Sequence, residues 1–229
     1  MKTGTRDRLQ GARGLLVAVL ALTGCAGSPP PPDWKMDAVS LLEHYQGRWL
    51  EGDTPAADLA LEKSRRAISR TGRLDLLARV EVAACGTRVA ALDFDPCKAY
   101  APLASEASAS DQAYARFIGG HWSGLDVKLL PPHYAALVGA KEDAAAQRAV
   151  ADIKEPLPRL IAASLLFRQG RADPATLNLA VDTASERGWR RPLLTWLNVQ
   201  LKRARAAGDE AAASRLQRRI DLAEGKVQP

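Results

Sequence analysis

The sequence predicts an all-α fold for residues 34–229, built from antiparallel helical hairpins stacked as a bundle or an array. Apolar residues recur there at spacings of three and four, as on one face of an amphipathic helix. Glycines and capping residues interrupt this pattern often, and such short turns make consecutive helices antiparallel neighbours. A hydrophobic content of 47% is enough for one domain, or for two tightly packed halves.

Residues 1–24 have the layout of a secretory signal peptide. Lys2, Arg6, Arg8 and Arg13 form a basic head, which an apolar run over residues 15–22 follows. This run is too short to cross a bilayer as a permanent helix. We therefore expect residues 1–24 to be removed during export.

The apolar run ends in Leu22-Thr23-Gly24-Cys25, which resembles the lipobox of bacterial lipoproteins. The resemblance implies that Cys25 becomes the first residue of the mature chain and carries a covalent diacylglycerol and an N-acyl chain. Ala26 follows where an Asp commonly retains Gram-negative lipoproteins in the inner membrane. For a Gram-negative source this implies the inner leaflet of the outer membrane, facing the periplasm. A Gram-positive source would imply the outer face of its single membrane.

Residues 25–33 join this lipidated Cys to the helical domain. Pro29 to Pro32 favour polyproline II, a semi-rigid conformation that rises about 3.1 Å per residue. The segment should therefore act as a spacer that lifts the domain roughly 20 Å from the membrane surface.

The basic character of the chain comes partly from its signal peptide. Residues 1–24 contain four basic residues and one acid, so their removal lowers the net charge from +6 to +3. A charge of +3 on the remaining 205 residues is ordinary. It does not indicate a nucleic-acid partner.

Three helices are predicted in the first part of the domain. Thr54 before Pro55 is the expected N-cap of the second helix, and Thr71-Gly72 is its expected end. The apolar positions that define the three faces are Met36, Val39, Leu42 and Trp49, then Ala57, Leu61 and Ile68, then Leu74, Leu77, Val80 and Ala84.

The middle of the domain has weaker signals. Asp95-Pro96-Cys97 predicts a cap and first turn that lead into a helix over Lys98–Ala104. Ser110 or Asp111 is the expected cap of a helix through Ile118. We predict an irregular connection over Val127–Pro132, with a short extended segment as the alternative.

The C-terminal half predicts six helices, separated in part by Gly170, Gly188 and Gly208. Gly208-Asp209 followed by Ala213 resembles the turn and second helix of tetratricopeptide repeats. A period of about 34 residues is not sustained, so this resemblance implies stacked hairpins and no more. The predicted helices are Pro132–Val138, Lys141–Ile153, Leu157–Arg168, Pro174–Arg187, Pro192–Ala206 and Asp209–Ala223.

Two cysteines remain once Cys25 is assigned to lipid. Cys85 and Cys97 predict a disulfide, because exported proteins fold in an oxidising compartment. Two buried free thiols are the alternative. We expect no metal site, since no histidine lies near either cysteine in the sequence and zinc usually takes four ligands.

No sequence motif assigns a catalytic residue. The chain lacks G-x-S-x-G, H-E-x-x-H, a Walker loop, G-x-G-x-x-G and Cys-x-x-Cys. His121 and Trp122 lie between glycines in a loop that could form a binding site or simply anchor itself. The carboxylate pairs Asp93/Asp95 and Glu51/Asp53 could serve a glycosidase, although Asp at such turns usually caps a helix.

A basic stripe is predicted on the last two helices. The stripe is either a solvated face or a binding surface for an acidic partner. If it binds a partner, added salt should weaken that binding strongly. The residues of the candidate partner-binding stripe are Arg190, Arg191, Lys202, Arg203, Arg205, Arg215, Arg218 and Arg219.

These observations favour a lipid-anchored envelope protein whose helical domain is a scaffold or assembly factor for another envelope protein. The binding surface would be a groove between hairpins or the basic stripe. The alternatives are a hydrolase of cell-wall material and a carrier of an apolar ligand between helices. We expect no cofactor apart from the covalent lipid on Cys25, and the sequence leaves the oligomeric state open.

Overall fold

The computed structural model describes residues 33–226. These residues form ten α-helices and three short 3-10 helices and contain no β-strand, which confirms the all-α fold of helical hairpins. The signal peptide, Cys25 and the prolines of the spacer lie outside the described residues, so the predictions made for them stay predictions. None of the helices between 33 and 226 combines the length and apolar character that a bilayer crossing requires.

The helices follow the predicted order closely. The α-helices are α1 Asp33–Glu51, α2 Thr54–Ser69, α3 Leu74–Val89, α4 Ala109–Ile118, α5 Ala135–Gly139, α6 Asp143–Asp152, α7 Pro156–Arg168, α8 Pro174–Glu186, α9 Arg190–Ala206 and α10 Glu210–Ala223. The 3-10 helices are Ala101–Leu103, Val127–Leu129 and Pro132–Tyr134.

The first hairpin, α1 with α2, is closed by a cap that differs from the prediction. Asp53, not Thr54, is the N-cap of α2, and its carboxylate accepts a hydrogen bond of 3.2 Å from the Ala56 N–H. A carboxylate also complements the partial positive charge of a helix N-terminus. Met36 and Val39 were expected to face the core but are 49% and 52% exposed.

The segment between α3 and α4 was predicted least accurately. No α-helix forms over Lys98–Ala104, where only Ala101–Leu103 takes up a 3-10 turn. Pro102 lacks an N–H and its ring would clash with the carbonyl four residues earlier, so an α-helix cannot pass through it. The cap of α4 is Ser108, not Ser110 or Asp111, and its hydroxyl accepts a hydrogen bond from the Asp111 N–H.

Helices α3 and α7 form the centre of the domain and pack on each other. Every residue of α7 from Leu160 to Leu166 is buried, so this helix presents no polar face to solvent. A helix that is apolar all round must be surrounded by others. Helix α7 accordingly contacts α3, α6 and α8.

The C-terminal helices form consecutive hairpins in which each helix contacts the next, from α7 to α10. Gly188 and Gly208 take φ values of +66° and +71° at the ends of α8 and α9, as predicted for helix-terminating glycines. Asp209 then caps α10 by accepting a hydrogen bond from the Ala212 N–H. Helix α9 also contacts α1, so the C-terminal hairpins pack against the first helix of the domain.

Replacing Trp196 by Ala should lower the free energy of unfolding by about 3–5 kcal/mol, since the change leaves a cavity in the core. Trp196 is fully buried, packs edge-on against Phe167 and donates a hydrogen bond to the Ala90 carbonyl. Urea unfolding checks this prediction. Leu222→Ala is the control, because Leu222 is 58% exposed and its loss should cost less than about 0.5 kcal/mol. Equal losses for both variants would contradict the placement of Trp196.

Candidate functional site

A disulfide attaches the segment after α3 to that helix. Cys85 on α3 and Cys97 are paired, with their Cα atoms 5.8 Å apart, a separation typical of a disulfide. This confirms the predicted disulfide, and the alternative of two buried free thiols is wrong. Closing a loop of this length contributes about 2–3 kcal/mol in the chain-entropy model.

The disulfide-bonded segment separates two clefts. Cys85, Asp95, Pro96, Cys97 and Tyr100 line both of them, so the same stretch of backbone forms a wall of each. One cleft is mainly apolar and the other is lined by ion pairs. We call them the apolar cleft and the charged cleft.

The apolar cleft lies between the disulfide-bonded segment, α4 and the end of α7, and encloses about 640 Å³. This volume falls within the range of small-molecule sites. Its apolar surface comes mainly from one aromatic ring and several aliphatic side chains. They are Val89, Phe94, Ala101, Ala104, Ala115 and Ile118, beside the disulfide.

Two arginines stand at the rim of the apolar cleft. The guanidinium carbon of Arg168 lies 5.1 Å from the centroid of the Phe94 ring, a cation–π contact. Arg116 donates a hydrogen bond of 2.7 Å to the carbonyl of Ser123. Within residues 33–226 neither guanidinium forms an ion pair with a carboxylate.

The loop residues His121 and Trp122 have separate surroundings. The Trp122 ring stacks at 5.5 Å on Phe117, and its indole N–H donates a hydrogen bond of 2.9 Å to the Phe117 carbonyl. Trp122 therefore anchors the loop. His121 is exposed and lines the apolar cleft next to Gly119. Only the histidine of this predicted loop site faces a cavity.

The charged cleft, of about 490 Å³, contains two ion-paired groups. Arg65 on α2 donates two hydrogen bonds to Glu81, whose side chain is only 6% exposed. Arg88 binds Asp93 at 2.7 Å and lies 3.6 Å from Asp95. The carboxylates of Glu81 and Asp93 are thus each bound by a guanidinium of the same cleft.

Neither predicted carboxylate pair is free for acid–base chemistry. Asp93 and Asp95 share Arg88, as described for the charged cleft. Glu51 forms an exposed ion pair with Arg48, and Asp53 caps α2. These four carboxylates therefore have structural partners in the described part of the chain.

The predicted basic stripe divides into residues with internal partners and residues that face solvent. Arg191 donates hydrogen bonds of 2.6 Å to the Trp49 carbonyl and to the Thr54 hydroxyl. Arg203 and Arg205 donate more weakly to the Ala172 carbonyl and to Gln217. Those that are exposed and form neither an ion pair nor a side-chain hydrogen bond between residues 33 and 226 are Arg190, Lys202, Arg215, Arg218 and Arg219.

Three of these exposed residues form a cluster on α10, here named the α10 arginine face. Arg215, Arg218 and Arg219 occupy positions i, i+3 and i+4, which lie together on one side of a helix. Ala213 and Ile220 are buried against the domain on the other side. The α10 arginine face is consequently a concentrated positive surface with no carboxylate ion-paired to it in the described chain.

A third cavity, of about 310 Å³, brings His133 near Asp111, Tyr114 and Tyr134. The Asp111 carboxylate is bound to Arg79 and to the Ser108 hydroxyl. His133 Nε2 is buried without a hydrogen-bond partner among the described residues. Burial lowers the pKa of His133, and the charge of Glu155 opposes this effect only in part.

Replacing His133 by Gln should flatten the dependence of stability on pH below about pH 6.5, the ordinary pKa of histidine. Because the pKa of His133 is lowered on folding, the unfolded chain binds more protons in this window. The wild-type free energy of unfolding is therefore complete above that pH and decreases as the pH falls toward the folded-state pKa. Urea unfolding from about pH 7.5 to pH 5 gives the slope. Equal slopes in the two proteins would contradict this assignment, whatever their absolute stabilities.

Sequence reasoning missed the apolar cleft and its two arginines. Phe94, Arg116 and Arg168 come from three separate segments, and no local spacing relates them. No group of three or more His, Cys, Asp or Glu side chains within residues 33–226 is arranged to hold a metal ion. Comparison with known proteins finds no family model, no curated protein and no solved structure that matches this chain.

Proposed function

We propose that this chain is a lipid-anchored protein of the bacterial envelope, whose helical domain binds an acidic partner protein through the α10 arginine face. The anchor is Cys25 of the lipobox-like sequence, and the proposed location is the inner leaflet of the outer membrane. The observation that carries the binding proposal is the exposure of Arg215, Arg218 and Arg219 with no ion pair in the described residues.

The arrangement of charge supports a role in binding. Elsewhere in the domain, Arg65, Arg79, Arg88 and Arg171 form ion pairs with nearby carboxylates. The α10 arginine face leaves three positive charges unpaired on one helix turn, where their mutual repulsion disfavours the isolated state. A partner carboxylate would relieve that repulsion, and Arg is the side chain best suited to bidentate binding of carboxylates.

A scaffold role agrees better with the clefts than a hydrolase role. The carboxylates of Asp111, Glu81 and Asp93 already have structural partners, which are arginines and, for Asp111, also the Ser108 hydroxyl. A hydrolase acting on glycosidic bonds needs one carboxyl group that releases a proton and a second that stays ionised. No such pair is available at these positions.

Replacing Cys25 by Ser should release the protein from the membrane, because the thiol is the proposed site of lipid attachment. Fractionation of cells and the mass of the N-terminal peptide measure the change. The double variant Cys85→Ser/Cys97→Ser is the matched control. It removes two cysteines without touching the lipobox-like sequence, so this variant should stay with the membrane. A wild-type N-terminal peptide without acyl mass on Cys25 would refute the anchor.

Charge reversal on the α10 arginine face should reduce capture of the partner. In intact cells, Arg215→Glu/Arg218→Glu/Arg219→Glu should lower the yield of the main crosslinked product at least about fivefold, because each reversed contact becomes repulsive. The control is Lys141→Glu/Arg148→Glu/Lys154→Glu, which makes the same charge change at exposed positions on and around α6.

Salt gives an independent measurement of the same interaction. Binding of the captured partner to purified protein should weaken steeply between about 0.05 and 0.3 M salt, as expected for exposed charges. The α6 control should bind like the wild type. If both triple variants lose the crosslink equally, net charge alone is responsible and the α10 arginine face is not the docking surface.

A further inference from the structure

The apolar cleft joins an uncharged interior to a positive rim. Away from the rim, its lining is mainly Val89, Ala104, Ala115 and Ile118 with the Cys85–Cys97 disulfide, and its polar groups are the Tyr100 hydroxyl and the Gln112 amide. These groups offer a ligand no charge and few hydrogen bonds. A ligand that fills this interior must therefore be apolar over most of its length.

The rim of the apolar cleft carries two positively charged side chains. Arg116 and Arg168 approach it from α4 and from the end of α7, and neither forms an ion pair in the described part of the chain. Arg168 is held against the Phe94 ring, so its guanidinium is partly oriented before any ligand arrives. A planar guanidinium with a fixed direction suits a carboxylate.

The other titratable groups at the rim do not cancel this charge. Asp95 is the cleft's one carboxylate among the described residues, and it lies 3.6 Å from Arg88 on the side of the charged cleft. His121 is exposed beside Arg116 and can add a hydrogen-bond donor. The rim therefore favours an anion over a cation or a neutral group.

Gly120 lies close to the guanidinium of Arg168. Gly120 has a φ of +80°, and the nearest atoms to a Cβ placed there would be those of the Arg168 guanidinium, at 3.9 Å. The positive φ would strain a larger residue at this position, although its Cβ would only be in ordinary van der Waals contact with Arg168.

We propose that the apolar cleft binds a small amphiphile with one apolar chain and a terminal carboxylate, of the kind found in fatty acids. The chain occupies the interior between α4 and the disulfide-bonded segment. The carboxylate lies at the rim, where Arg168 and Arg116 bind it. This inference is independent of the proposed partner on α10 and of the lipid on Cys25.

The test is calorimetric titration of the chain from residue 26 onward, which lacks the apolar signal sequence and the lipidated cysteine, with dodecanoate below its micelle-forming concentration. We expect saturable binding at one site, and an affinity that falls about fourfold for each methylene removed in decanoate and octanoate. Dodecanol and dodecylamine should bind at least about tenfold more weakly than dodecanoate, because they lack the carboxylate.

Matched variants locate the site. Arg168→Gln should weaken dodecanoate binding at least about tenfold and leave dodecanol almost unchanged. Arg187→Gln is the control, since Arg187 is also exposed and also lies over an aromatic ring, that of Trp189, away from the cleft. Ala104→Trp fills the interior and should abolish binding of both molecules.

Three results would overturn the proposal. They are absence of saturable dodecanoate binding, equal affinity for dodecanol, and equal effects of Arg168→Gln and Arg187→Gln. None of these depends on whether Ala104→Trp folds, because both arginines are exposed and their replacement leaves the core intact. Loss of the α10 crosslink would leave the result unchanged, so the two proposals fail separately.

Discussion

The burial of α7 on all sides is the constraint on which the domain depends. Residues Leu160–Leu166 have no polar face, so other helices must cover the whole circumference of α7. The small residues Ala162, Ala163 and Ser164 let those helices approach closely. Helices α3, α6 and α8 fill these positions, and the terminal hairpins pack outside them.

This arrangement also places the two clefts. Helix α3 packs on α7 and carries Cys85, whose disulfide attaches the segment around Cys97 to α3. Helix α7 ends at Arg168, beside the same segment. The Cys85–Cys97 disulfide therefore forms part of the wall of both the apolar cleft and the charged cleft. Both clefts lie beside an irregular segment, between α3 and α4, that the disulfide attaches to α3.

Sequence reasoning recovered the features that depend on local spacing. Helix periodicity and glycines such as Gly188 located most helices to within a few residues, and the disulfide followed from counting cysteines. The errors arose where distant contacts decide the outcome. The exposure of Met36 depends on which face of α1 meets α2, and the rim of the apolar cleft depends on the packing of α4 near α7. The α10 arginine face was visible in sequence because its residues share one helix, but the internal role of Arg191 was not.

The contacts of Arg191 with Trp49 connect two parts of the chain that are synthesised at different times. The Arg191 guanidinium lies 4.4 Å from the centroid of the Trp49 ring and binds the Trp49 carbonyl across 142 residues of sequence. A ribosome takes on the order of ten seconds to make that length of chain. Until Arg191 is available, the Trp49 carbonyl and the Trp49 ring lack the guanidinium that binds them in the folded domain. The contact between α9 and α1 can therefore form only after nearly all of the domain has been synthesised.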